Sequence, residues 1–203
     1  LNENHKQINH MPFNLPIFLT WLRVALIPLC VAVFFLPDSM LLATDRNNVG
    51  AMIFFLAAWT DWLDGFLARK LGQTSAFGAF LDPVADKLIV AAALILLVEM
   101  GRTPGWMAMI IIGREITISA LREWMAGMGS RGSVAVAYIG KLKTAAQMLA
   151  ILLLLYAGPL FPGMNSLLAG NIFMVIAVIL TLWSMVYYLR MAAREFSGKK
   201  IDV

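Results

Sequence analysis

Asp61, Asp64, Asp82 and Asp86 are the residues of this chain best suited to chemistry, and all four lie in one stretch, DWLDGFLARKLGQTSAFGAFLDPVADK, at 61–87. They form two pairs, with spacings of three and four residues that put each pair on one face of a helix. The apolar segments on either side place the pairs at helix ends. Carboxylates crowded there would repel one another and cost several kcal/mol each if buried bare. Arg69 and Lys87 can supply part of the compensating charge, and a partly protonated network another part. A divalent-metal site is the more economical reading, because hard cations such as Mg²⁺ or Mn²⁺ take oxygen ligands and two of them would balance four carboxylates. No histidine or cysteine lies nearby, which argues against an ordinary zinc site. Carboxylate-held hard metals commonly handle phosphate or diphosphate groups. The bland alternative is a solvated acidic loop.

Small residues share these faces. Gly65 lies four residues after Asp61, Ala68 three after Gly65, and Gly78 four before Asp82. Small side chains beside ligands leave room for a bulky group, or let two helices approach closely.

The elements that must position these groups are helices in a bilayer. Of 203 residues, 61% are hydrophobic and only 14% charged, with a mean hydropathy of +0.79. A soluble domain usually carries about 25% charged residues, so a water-soluble enzyme, a disordered chain and a nucleic-acid module all fit poorly. Apolar runs of about 20 residues recur along the chain, each long enough to cross a bilayer core. Backbone groups in hydrocarbon must pair internally, so these runs are helices. The expected architecture is all-α and polytopic, with six transmembrane helices near 15–36, 49–70, 79–98, 104–125, 140–157 and 167–190. The Pro16 region has an alternative, lying flat at the interface. Residues 1–14 and 191–203 are expected to be cytoplasmic segments flanking a six-helix catalytic domain over 15–190. Residues 1–12 lack the pattern of a secretory signal. The single cysteine, Cys30, excludes an internal disulfide framework and is expected simply to pack.

Charge sets the orientation. With a cytoplasmic N-terminus, one membrane face collects Lys6, Arg69, Lys70, Arg122, Arg131, Lys141, Lys143, Arg190, Arg194, Lys199 and Lys200, and the other only Arg46 and Arg102. That asymmetry puts both termini and the aspartates on the cytoplasmic side. It also accounts for the net charge of +4 without nucleic acid. Trp106 and Trp124, near the two ends of the fourth run, suit interfacial anchors or plain packing. The connection GPLFPGMNS at 158–166 suits a short outer turn.

A second set of chemistry-bearing residues is basic. Arg114 lies well inside the fourth run, where an unpaired cation is expensive. Glu115, its neighbour in sequence, is expected to point elsewhere and to be a poor partner. A motif aspartate is one alternative partner, and an anion in a cavity open to the cytoplasm is another. Lys141 and Lys143 begin the fifth run on the same side, turned to different faces by their spacing, and Arg23 lies in the first run. Each lysine can equally be an ordinary positive-inside residue. Together the cations favour a phosphorylated substrate.

The aspartate stretch reads Asp61-x2-Asp64-Gly65-x2-Ala68-Arg69-x8-Gly78-x3-Asp82-x3-Asp86, and in this it resembles the CDP-alcohol phosphatidyltransferase family at every fixed position. The resemblance implies a phosphatidyl transfer from CDP-diacylglycerol to an alcohol, with release of CMP. It implies that the four aspartates hold Mg²⁺ or Mn²⁺, two ions in all, and that Asp86 is also the general base. Gly65, Arg69 and Gly78 would meet the CDP portion, with Ser75 a weaker candidate and Thr60 capping or lining the same site. Arg69 offers a donor fork suited to phosphate oxygens, although snorkelling at the interface is its plainer role.

Flanking segments resemble the bacterial branch of that family that accepts glycerol 3-phosphate. They are Asn14-Leu15-Pro16-Ile17-Phe18-Leu19-Thr20-Trp21-Leu22-Arg23 with Pro28, then Gly113-Arg114-Glu115-Ile116, Ser119-Ala120-Leu121-Arg122-Glu123 and Gly140-Lys141-Leu142-Lys143-Thr144. Ile17 departs from the Asn or Thr frequent at its position, which argues against a polar role there. This resemblance implies an acceptor-phosphate site at Arg114, Lys141, Lys143 and Arg23, a location in the inner membrane of a bacterium, contact with bilayer lipids, and compatibility with a homodimer. The implied reaction is direct displacement: the sn-1 hydroxyl of glycerol 3-phosphate gives its proton to Asp86 and attacks the phosphorus bearing diacylglycerol. Inositol phosphate, phosphatidylglycerol and serine are the alternative acceptors within the family. A membrane cation transporter is the alternative outside it, but would place its carboxylates deeper. A prenyltransferase would carry two separate aspartate-rich clusters.

Overall fold

A computed structural model describes residues 15–71, 76–127 and 134–198, with side chains described at 18–61, 63, 81, 83–125 and 140–193. Among the described residues there are six helices: α1 (Leu15–Phe34), α2 (Ala43–Leu71), α3 (Ala76–Glu99), α4 (Gly105–Gly127), α5 (Val134–Tyr156) and α6 (Ser166–Gly198). A two-stranded antiparallel hairpin, β1 (Pro159–Phe161) and β2 (Met164–Asn165), fills the α5–α6 connection where a simple turn was expected. Each expected apolar run lies largely within one helix.

Three helices extend beyond their expected spans, α2 by polar residues, α5 by the apolar VAVAYI at 134–139 and α6 by a mixed tail. α2 begins at Ala43, with Asp45 in its first turn, where an acidic side chain meets the positive end of the helix dipole. α5 begins at Val134 rather than 140, and α6 continues eight residues past 190. Hydropathy marks the apolar stretch, whereas the backbone stays helical until something stops it. α3 ends at such a stop: Gly101 takes φ 65°, and the N–H groups of Arg102 and Gly101 bond back to the carbonyls of Leu97 and Val98. At the start of α6, Asn165 Oδ1 accepts the Leu167 N–H at 3.0 Å and so caps the helix.

α1 packs on α2 and α3, α5 packs on α2, α3 and α6, and α4 bridges α3 and α6. Arg102 gathers the connections at one end of the bundle. Its Nη1 donates to the carbonyls of Leu154 and Leu155 at 2.9 and 2.8 Å, near the end of α5, and its Nη2 donates to Asn47 Oδ1 at 2.7 Å near the start of α2. Partial burial lowers its pKa from the ordinary value. The α5 carbonyls, which lack helical partners, are thereby satisfied by a cation. Arg46 is held nearby, by the Leu36 carbonyl and Asp38. Toward this end lies the apolar core, including Phe54, Leu94, Leu97, Ile111, Leu154 and Met174. Toward the other end lie buried polar and charged side chains: Arg23, Arg114, Lys143, Gln147, Thr181 and Ser184.

The outer surface is apolar. Met109, Phe35, Trp183 and Leu168 are 70%, 69%, 66% and 62% exposed, and a water-facing surface of this kind would be an association hazard. Among the described residues one helical segment, Ser166–Ala193, is long and apolar enough to cross a membrane by composition alone, and Phe18–Phe34 is a shorter apolar helix.

Candidate active site

Arg23 brings two of the four aspartates together. Its guanidinium is completely buried, and its Nη1 lies 2.9 Å from Asp61 Oδ1 on α2 and 3.0 Å from Asp86 Oδ1 on α3. α2 runs on ten residues past Asp61 to Leu71 and α3 starts ten residues before Asp86 at Ala76, so the two carboxylates sit at matching depths inside their helices rather than at the expected helix ends. Both remain partly open to solvent, at 37% and 43% exposed. Asp64 lies one turn after Asp61 on α2, and Asp82 one turn before Asp86 on α3. Their side chains lie outside the described residues.

Gly65 and Arg69 lie on α2 and Gly78 on α3, with side-chain surroundings outside the described residues, as is the whole of Ser75. Thr60 lies within α2, so it caps no helix. Its hydroxyl donates to the Ala57 carbonyl at 2.8 Å, leaving only oxygen lone pairs to face a ligand.

Asp61 and Asp86 offer oxygen donors from two helices around one cation. This donor set fits a hard divalent ion in place of, or beside, the guanidinium. Among the described residues no group of three or more His, Cys, Asp or Glu side chains gathers at one point.

A second polar site lies between α4, α5 and α6. A cavity of about 550 Å³ is lined by Arg114, Glu115, Arg122, Lys141, Lys143, Thr144 and Tyr188, among others. Lys143 is buried and Lys141 exposed, as their opposed faces require. Arg23 does not line this cavity: expected with the basic cluster, it sits instead between the aspartates.

Glu115 was missed. Expected to point away, it accepts from Arg114 Nη1 at 3.1 Å and also from Lys143 Nζ across the α4–α5 gap. Adjacent helical residues leave the backbone in different directions, but these side chains are long enough to meet beyond it, and a second cation on α5 draws the carboxylate into the cavity. Arg114 Nη2 donates to Ser184 Oγ on α6 at 2.8 Å, and the Tyr188 ring centroid lies 6.0 Å from its Cζ. Arg114 Nε is buried without a hydrogen-bond partner among the described residues. Among the described residues, neither Asp61 nor Asp86 is one of these partners. A third recess, of about 490 Å³ between α2 and α5, is lined by Phe54, Phe55, Ala58, Trp59, Met148, Leu149 and Leu152, and Met148 also lines the basic cavity.

Acidic residues meeting across two helices, with a basic cavity in the same bundle, define a protein equipped for charged phosphate chemistry, and residues 13–183 match the family model described as CDP-alcohol phosphatidyltransferase. The chain belongs to that family. Among its relatives is a CDP-diacylglycerol–glycerol-3-phosphate 3-phosphatidyltransferase of Haemophilus influenzae, 53% identical over 186 residues that cover 90% of this chain and 95% of the relative. Proteins of the same name from Escherichia coli K12 and Salmonella choleraesuis are each 50% identical, covering 91% and 90% of this chain and 98% and 96% of theirs.

Proposed function

We propose that this protein transfers the phosphatidyl group of CDP-diacylglycerol to sn-glycerol 3-phosphate, yielding phosphatidylglycerol phosphate and CMP. The observation that carries the reading is the convergence of Asp61 and Asp86 on Arg23 in a bundle that also holds the Arg114–Lys143 cavity. The names and coverage of the relatives support the choice of acceptor.

In this reading Asp61, Asp64, Asp82 and Asp86 would hold two divalent ions, Mg²⁺ or Mn²⁺, which supply charge neutralisation to the diphosphate and its CMP leaving group. Asp86 accepts the proton of the attacking sn-1 hydroxyl. A carboxylate is a weak base at neutral pH, so Asp86 works by placement against that hydroxyl. Arg23 holds Asp61 and Asp86 in register across α2 and α3. Thr60, Gly65, Arg69, Ser75 and Gly78 form the side that receives the CDP portion. Arg114 and Lys143 bind the acceptor's phosphate, with Lys141 at the mouth of the cavity.

All six helices are read as spans of a bacterial inner membrane, with both termini and the aspartates on the cytoplasmic side. The exposed apolar surface and the eleven-to-two bias of basic residues support that placement. A lipid substrate then keeps its acyl chains among the bilayer lipids while its nucleotide meets the water-soluble acceptor at the inner surface.

The test is reconstitution in detergent with CDP-diacylglycerol, Mg²⁺ or Mn²⁺, and each acceptor in turn, following CMP and lipid product. Glycerol 3-phosphate is expected to support turnover. Release of CMP with inositol phosphate or serine, but not with glycerol 3-phosphate, overturns the assignment.

A further inference from the structure

We infer that Glu115 is a positioning residue for the acceptor: its carboxylate holds the Arg114 guanidinium and the Lys143 ammonium in one phosphate-sized arrangement before substrate arrives. The inference rests on the reading of the Arg114–Lys143 cavity as the acceptor-phosphate site, and adds a residue that neither the aspartate motif nor the basic cluster supplied.

The geometry carries it. Arg114 and Lys143 come from different helices, α4 and α5, and both are buried, at 7% and 3% exposed. Two buried cations facing one cavity repel, and each alone carries a desolvation cost. Glu115 Oε1 accepts from both, and its side chain is only 21% exposed, so a single oxygen ties α4 to α5 at the cavity wall. Ser184 Oγ fixes the other arm of the guanidinium from α6, and itself donates to the Thr181 carbonyl at 2.9 Å. The guanidinium is therefore held from two sides, through Nη1 and Nη2. Arg122 and Lys141 add further positive charge on the same wall. With two lysines and two arginines against one carboxylate, the cavity keeps a net positive charge and still attracts a phosphate dianion. Glu115 thus sets where the cations stand without cancelling them. An ordered pair of donors loses less conformational freedom on binding than two free side chains would.

The role differs from plain helix packing because it acts through Lys143 and Arg114 and reaches the acceptor alone. The test is steady-state kinetics of the purified, detergent-solubilised protein with CDP-diacylglycerol and glycerol 3-phosphate, for Glu115→Gln, Glu115→Asp, Lys143→Met and the double variant. Glu115→Gln is expected to raise KM for glycerol 3-phosphate at least about tenfold, with kcat and KM for CDP-diacylglycerol changed less than about threefold. Glu115→Asp should recover part of the loss. The double variant should lose less than the sum of the two single losses, since the part of the role that runs through Lys143 has nothing left to act on while the part through Arg114 remains. An unchanged acceptor KM in a folded Glu115→Gln protein, or additive losses in the double variant, overturns the inference. A loss that falls equally on both substrates also does so, because it reports general destabilisation. If Lys143→Met itself leaves the acceptor KM unchanged, the reading of the cavity fails, a result distinct from failure at Glu115 alone.

Discussion

At the level of single residues, the base role proposed for Asp86 asks position to substitute for intrinsic basicity. It is partly exposed and shares Arg23 with Asp61, so on the proposed reading removing its charge deprives the site of a proton acceptor and of a metal-binding oxygen at once. Asp86→Asn should lower kcat by about 10²–10⁴-fold, the range a positioned general base contributes, while the protein stays folded because asparagine can still accept from Arg23. CMP release measured beside a thermal melt checks this; a near-normal rate removes Asp86 from the base role. Arg114→Ala should impair use of glycerol 3-phosphate more than binding of CDP-diacylglycerol, and the reverse pattern in the two KM values would move Arg114 to the nucleotide side. The meeting of Asp61 and Asp86 was foreshadowed by their spacing, a local, periodic signal. Glu115 was not, because its role depends on Lys143, 28 positions away on another helix, and linear spacing carries no trace of that meeting. Arg23 was legible as a charge in an apolar run, but its bridging place required knowing that α1 lies against both α2 and α3.

Among the elements, the six helices were readable because each carries an apolar run of about 20 residues, the length and composition a bilayer-spanning helix needs. Their ends were less so: the polar start of α2 and the long tail of α6 carry no apolar signal, and the β1–β2 hairpin is too short to show alternation. The surroundings of Gly65 and Gly78, beside the aspartates, lie outside the described residues. Among the described residues, tight contacts between helices occur at Gly50 and Gly170. A Cβ at Gly50 would stand 2.1 Å from the Phe34 ring of α1, and one at Gly170 would stand 2.7 Å from the Leu154 side chain and 3.2 Å from its backbone nitrogen on α5. The Phe34 ring can turn aside, but a backbone nitrogen moves only with its helix. Gly170→Ala should therefore cost about 1–3 kcal/mol of stability, the usual penalty of overpacking, with kinetic constants unchanged in the surviving folded fraction. Thermal unfolding in detergent measures this, and a midpoint within error of the unaltered protein would show that α5 and α6 separate more easily than their packing implies.

On the scale of the whole molecule, the bundle separates its tasks along its long axis. The apolar core and the Arg102 cluster, which joins the α3–α4 connection to α2 and α5, occupy one end, and the aspartates and the basic cavity occupy the other. This division gives the membrane orientation a direct test, because each end predicts a side. Cys30 is buried at 4% exposed and is the chain's single cysteine, so a Cys30→Ser background gives clean labelling from introduced thiols. Phe161, at the hairpin tip and 72% exposed, is expected on the outer side. Phe161→Cys should react with a membrane-impermeant maleimide added to spheroplasts, whereas Lys141→Cys, at the mouth of the basic cavity, should react only after the membrane is opened. The opposite pattern would place the aspartates outside, where no cytosolic acceptor could reach them. Labelling of both thiols in sealed spheroplasts would mean that the helices do not separate two compartments. Since the same bundle end carries Asp61, Asp86, Lys141 and Lys143, the orientation of one thiol decides the compartment from which every proposed polar substrate must enter.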